Sequence, residues 1–130
     1  MTDLAEPKGA KVTTWSPGGQ TSRNLIQLST ASKAMVLYVK EFNTVGRPGF
    51  WGLTRNQVTR LEQADTDWFA VLLLRSSIEG YVLARSEVRG HIADGSFELS
   101  GDGDYKVNEH VDLKSQQRFR SLSELLGHLL

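Results

Sequence analysis

The stretch LYVKEFNTVGRPGFWGLTRNQVTRL, residues 37–61, followed by WFAVLLL, residues 68–74, decides how this chain folds. Val36, Tyr38 and Val39 favour an extended backbone, and the near-continuous apolarity from Ala34 to Phe42 predicts a strand buried on both faces. Asn43 to Gly49 carries Gly46, Pro48 and Gly49, the punctuation of a loop. Thr54-Arg55-Asn56-Gln57 then fits a capping box, with Leu53 and Val58 at the positions of a hydrophobic staple. Val58 and Leu61 give the resulting helix a thin apolar face, leaving Arg55, Arg60, Glu62 and Gln63 to solvent. Trp68 to Leu74 has the length and content of a second buried strand. The unit is strand, loop, helix, strand.

Downstream, a turn at Ser76-Ser77 leads into GYVLA (80–84), which predicts a strand hairpinned to its predecessor. Ser86 is expected to cap a short helical turn through Val88. Phe97-Glu98-Leu99 and Tyr105-Lys106-Val107 alternate around Gly101-Asp102-Gly103-Asp104, a hairpin signature. Ser121 to Glu124 is a second capping box, and Leu122, Leu125, Leu126 and Leu129 follow at the spacing of a helix stripe. Upstream, Leu25, Ile26 and Leu28 fit a short helix or a strand equally. Residues 1–22, rich in Pro and Gly, predict a flexible N-terminal arm in which Trp15 alone has reason to dock. Together these elements predict one α/β (α+β) domain over residues 23–130. It would hold a mixed sheet of about five strands and two or three flanking helices, including a C-terminal amphipathic helix.

With 130 residues, 39% of them hydrophobic, the chain has material for one core. The absence of cysteine excludes disulfides, thiolate metal sites and a thiol nucleophile. The longest apolar run, about seven residues, falls short of the roughly 20 that span a bilayer. No secretory leader is recognisable, so the expectation is a soluble, cytoplasmic protein without a membrane partner. The formal net charge of zero conceals segregation. Lys33, Lys40, Arg47, Arg55 and Arg60 outweigh Glu41 in one block. Asp94, Glu98, Asp102, Asp104, Glu109 and Asp112 outweigh Lys106 in another. Two such blocks either face solvent or face each other.

The pieces VLYVK, GLTRNQ, WFAVLLL and GYVLA, in that order, resemble the latter half of restriction-endonuclease-like (PD-(D/E)XK) nuclease domains. That resemblance implies a lysine, here Lys40, assisting a metal-activated water, and two preceding acids holding Mg²⁺. The acid two residues before Lys40 falls at Tyr38, which is no ligand for a hard cation. No Asp or Glu occurs between Glu6 and Glu41. Glu41 itself points to the opposite face of a strand from Lys40. The expectation is therefore a degenerate nuclease-like module without confident catalytic residues and without a cofactor. Mg²⁺ would be needed only if Lys40 and Glu41, with acids such as Asp67 or Asp104, formed an active centre.

Binding without cleavage fits the residues better. Lys40, Arg47, Arg55 and Arg60 offer phosphate partners, and Phe50 and Trp51 in a glycine-rich segment offer stacking surfaces or, equally, core side chains. The alternative function is a protein–protein or self-associating module, with one copy's acidic block meeting the basic block of another. Other chemistry lacks support. Asp102-Gly103-Asp104 misses the later ligands of a calcium loop. His91, His110 and His128 share no ligand spacing. No serine sits in a strand–turn–helix elbow, and no glycine-rich phosphate loop is present.

Overall fold

The computed structural model of the chain describes residues 11–14, 24–31, 33–42, 47–64, 66–74 and 79–129. In chain order these form β1 (Lys11–Thr14), β2 (Leu25–Ser29), β3 (Ala34–Phe42), β4 (Phe50–Thr54), α1 (Arg55–Gln63), β5 (Trp68–Leu74) and β6 (Gly80–Ala84). Then come α2 (Arg85–Ala93), β7 (Glu98–Leu99), β8 (Asp104–Asn108), α3 (Glu109–Asp112), a 3₁₀ turn (Ser115–Gln117), β9 (Arg118–Phe119) and α4 (Leu122–Leu129).

The expected unit is present. β3 pairs in parallel with β5, Tyr38 beside Ala70 and Lys40 beside Leu72, and the connection between them contains α1. β5 and β6 form the predicted antiparallel hairpin. Leu25–Ser29, open between helix and strand in the sequence, is a strand antiparallel to β3 with Leu25 opposite Tyr38. The six-stranded mixed sheet runs β1-β2-β3-β5-β6-β9, against an expected mixed sheet of about five strands. Two of its strands were not expected: β9, which pairs with β6, and β1, which lies inside the segment expected to be a flexible arm and pairs antiparallel with β2. Trp15 and most of that arm fall outside the described residues.

A second sheet, β4-β8-β7, was not anticipated as such. The β7–β8 hairpin is as expected, but Phe50–Thr54 is a strand rather than the end of a loop. It pairs antiparallel with β8, setting Phe50 opposite Asn108 and Thr54 opposite Asp104. Each face of the large sheet buries its own core. On one face Val36, Tyr38, Ala70, Leu72 and Leu83 pack with Trp51 and Leu53 of β4, Val58 and Leu61 of α1, and Val88 of α2. On the other, Met35, Leu37, Val71 and Val82 meet Leu125, Leu126 and Leu129 of α4.

Two helix starts differ from expectation. The Thr54 side chain makes no capping bond, and Gln57 Oε1 accepts from Arg60 instead of reaching back. α2 begins at Arg85 and runs to Ala93, longer than the turn expected from Ser86. Its first turn is held by Glu87 Oε1, which accepts the Ala84 N–H at 2.9 Å. At α4, Ser121 Oγ accepts the Glu124 N–H at 3.2 Å, the half of the predicted box that defines an N-cap.

Candidate nucleic-acid interface

Lys40 stands near the C-terminal end of β3, half-buried, on the face that also carries Val36 and Tyr38. Its strand neighbours decide what it can do. Tyr38 lies two residues before it on the same face, Leu25 pairs with Tyr38 from β2, and Ala70 and Leu72 flank it from β5. Tyr38, Leu25, Ala70 and Leu72 are all fully buried members of one apolar cluster. The Tyr38 hydroxyl accepts the Thr54 backbone N–H at 2.9 Å and lies 3.1 Å from Thr54 Oγ1. Burial raises the Tyr38 pKa above the ordinary phenol value, against the lowering effect of its bonds to Thr54. The phenol therefore stays neutral and ties β3 to the start of α1.

The groove at the other end of β4 is chemically different. About 730 Å³ in volume, it is walled by Phe42, Pro48, Phe50 and Val111, with Arg47, Asn108 and His110 supplying polar groups. Arg47 is exposed, and Phe50 keeps 41% of its surface open. The Lys106 ammonium stands 5.8 Å from the centroid of the Phe50 ring. Glu109 closes the groove from within. Its Oε1 accepts the Gly49 N–H at 2.6 Å and its Oε2 accepts the Tyr81 hydroxyl at 2.7 Å. Burial works to raise the Glu109 carboxyl, but these two bonds outweigh it and hold its pKa below the usual value. Burial, followed by the bond to Glu109, pushes Tyr81 up to about 12.

The other sequence candidates separate. Trp51, adjacent to Phe50, points inward at 2% exposure, and its indole N–H donates to the Leu73 carbonyl at 3.1 Å. Its ring is packed as a core side chain, one of the two placements the sequence left open for it. Arg55 is exposed at the start of α1, at the opposite end of β4 from Arg47, and Arg60 bonds Gln57 at 3.0 Å along that helix. The β4–β8 pairing sets an uncharged strand along the acidic block, whose ion pairs here are internal to it. Lys106 is bonded to Asp102 at 2.8 Å and lies 3.8 Å from Asp104. The Lys106 ammonium, then Ser100 and the Asp104 N–H, pull the Asp102 pKa down to about 2. Sequence reasoning missed Glu109 and Tyr81, because their mutual contact and the one with Gly49 bridge 28 and 60 residues and leave no local pattern.

No family model and no curated protein matches this sequence. Among solved structures, the chain is similar to Hjc, a Holliday junction resolvase from the archaeal hyperthermophile Archaeoglobus fulgidus. The two share 12% sequence identity with a TM-score of 0.54, over 97% of this chain and 92% of that one. The fold is restriction-endonuclease-like. The resemblance drawn from VLYVK, GLTRNQ, WFAVLLL and GYVLA is thus borne out as architecture.

On a restriction-endonuclease-like frame the region around Lys40 is where a cation would be expected. The residues present do not suit one. Mg²⁺ requires a set of hard oxygen ligands, and the strand positions beside Lys40 supply Leu25, Tyr38, Ala70 and Leu72. Glu41 alternates to the other face, and Asp104 faces Gly52 across the second sheet, 2.6 Å from where a Cβ there would stand. Among the described residues, no group of three or more His, Asp or Glu side chains converges as a metal site. Nor is any described helix long and apolar enough to cross a membrane.

Proposed function

We propose that this chain is a non-catalytic, nuclease-like module that binds nucleic acid, alone or within a nucleic-acid-processing complex. The observation that carries binding is the exposed Phe50 ring beside the exposed Arg47 at one groove, on a fold of the nuclease type. Arg47 and Arg55 mark the two ends of β4, a five-residue strand of roughly 17 Å. Cations at that separation can hold two phosphates of one strand. The non-catalytic half of the reading rests on Tyr38, whose hydroxyl is committed to Thr54 where a carboxylate would have to stand. A gel shift across a salt series tests the whole. Binding should weaken as salt rises and fall further in the Arg47→Ala/Arg55→Ala double variant. Absence of binding at low salt, or a double variant that binds like the parent, removes this function.

A second reading, a protein–protein contact, draws on one observation. Val111 is 83% exposed on the same groove as Phe50. Light scattering separates the two. A dimer that Val111→Asp breaks, with no affinity for nucleic acid, favours the protein partner.

A further inference from the structure

We infer that the Phe50 groove takes one unpaired nucleobase from single-stranded nucleic acid, stacked on the ring with its phosphate on Arg47. The inference rests on the nucleic-acid reading above and gives that site a substrate class.

Three observations point the same way. The first concerns which aromatic surface is available. Phe50 is exposed while its neighbour Trp51 is buried and bonded to Leu73, so β4 offers a stacking platform for a single base. A base within a duplex has both faces covered by its neighbours, whereas an unpaired base presents a free face that any aromatic ring can take. The second is the groove's shape and lining. Its volume of about 730 Å³ lies in the range of clefts that enclose small ligands, and Phe42, Pro48 and Val111 wall it with apolar surface. The exposed Asn108 and His110 stand on its rim, residue types that can both donate to and accept from a base edge.

The third is electrostatic. Glu109 is the groove's carboxylate, and both of its oxygens already receive hydrogen bonds, from Gly49 and from Tyr81. Arg47 is the exposed cation among the lining residues. The Lys106 ammonium lies near the Phe50 ring but does not line the groove, so the groove side of the ring remains for a ligand. A phosphate on Arg47 with its base on Phe50 satisfies this arrangement of one cation and one ring.

The test uses the full chain with a short single strand carrying 2-aminopurine and with the same strand annealed to its complement, both at low salt. Phe50→Leu keeps apolar volume and loses the π-face, Phe50→Tyr keeps the face, and circular dichroism confirms that each variant is folded. Stacking of one base predicts that Phe50→Leu weakens single-strand binding about 5- to 150-fold, while Phe50→Tyr stays near the parent. It also predicts 2-aminopurine quenching that Phe50→Leu abolishes, and little effect of that substitution on the duplex. If Phe50→Leu binds the single strand like the parent, or weakens single strand and duplex equally, the unpaired-base inference is overturned while nucleic-acid binding stands. If the parent binds neither form, both fall. A parent dimer that Phe50→Leu dissociates, without nucleic-acid binding, assigns the groove to a protein and overturns the inference as well.

Discussion

Tyr38 and Thr54 are joined by the backbone N–H of the threonine, which donates to the tyrosine hydroxyl at 2.9 Å across 16 residues of chain. The bond fixes β3 against the start of α1, two residues before Lys40 on the same face of the strand. Tyr38→Phe keeps the ring and leaves the Thr54 N–H without this partner, so it should cost about 1 kcal/mol in urea denaturation. Tyr38→Glu should cost more, because the carboxylate enters a buried layer of Leu25, Ala70 and Leu72. A folded Tyr38→Glu protein that nicks plasmid with Mg²⁺ would show that a ligand set lies within reach after all.

The same apolar surroundings make a prediction about metal. A ligand that binds the folded state alone raises stability by about 2.7 kcal/mol at a hundred times its dissociation constant. Mg²⁺ or Mn²⁺, compared with NaCl at equal ionic strength, should leave the melting temperature in place. A saturable upward shift that Lys40→Ala or Glu41→Gln removes would overturn the account of this region.

Backbone packing within the large sheet is tested at Gly80. A Cβ there would stand 1.8 Å from the Leu72 carbonyl oxygen, an atom of a central strand that has nowhere to move. Gly80→Ala should destabilise by about 1–3 kcal/mol or more. Gly90, inside α2, meets nothing within 4 Å of its added Cβ, so Gly90→Ala should stabilise by about 0.4–1 kcal/mol. Chemical denaturation of the two variants beside the parent decides, and equal effects of one sign would contradict the packing at Gly80.

The Tyr81–Glu109 bond couples the two sheets to pH. The Glu109 pKa is depressed in the fold, so its contribution is present above the unfolded value near 4.5 and is lost as pH falls through the folded pKa. Tyr81 is raised from 10.0 to about 12, so its contribution is full below pH 10 and disappears as pH climbs to about 12. Melting temperature against pH should therefore decline at both ends. Tyr81→Phe should remove the alkaline decline assigned to this phenol and shrink the acid one, since Glu109 loses a donor. An unchanged profile in that variant would remove the bond from the account.

The parts of this fold that were legible in sequence are those stabilised by their own composition. β3 and β5 are apolar through their length, the β5–β6 and β7–β8 hairpins follow their turns, and α4 carries its stripe of leucines. β4 was not legible because its partner β8 lies about fifty residues downstream, and a five-residue strand beginning in a glycine-rich loop has no signal apart from that pairing. Thr54 misled for a related reason. Its hydroxyl suits a cap, yet a tertiary contact with Tyr38 engages it. At the candidate site, the missing carboxylates were visible as an acid-free stretch from residue 7 to residue 40, and Arg47 and Phe50 were visible as a basic, aromatic loop. The opposite orientations of Phe50 and Trp51 follow from strand alternation, and reading them required knowing that β4 is a strand.

That alternation supplies a test on adjacent aromatic residues. Trp51 packs edge-on against Phe42 and Tyr81, each with ring centroids 6.2 Å away, and donates its N–H to Leu73. Trp51→Phe retains an aromatic ring but strips the buried Leu73 carbonyl of this donor, an expected loss of about 1–3 kcal/mol. Trp51→Ala should lose about 3–5 kcal/mol through the cavity it opens. Trp51 backs the groove through Phe42 and Gly49, and Trp51→Phe keeps an aromatic ring behind them. Measured per folded molecule, nucleic-acid affinity should therefore survive Trp51→Phe and drop in Phe50→Ala. A folded Trp51→Phe protein that loses affinity as steeply as Phe50→Ala would require the indole to turn outward on binding, breaking its bond to Leu73, and the stacking surface would then hold two rings instead of one.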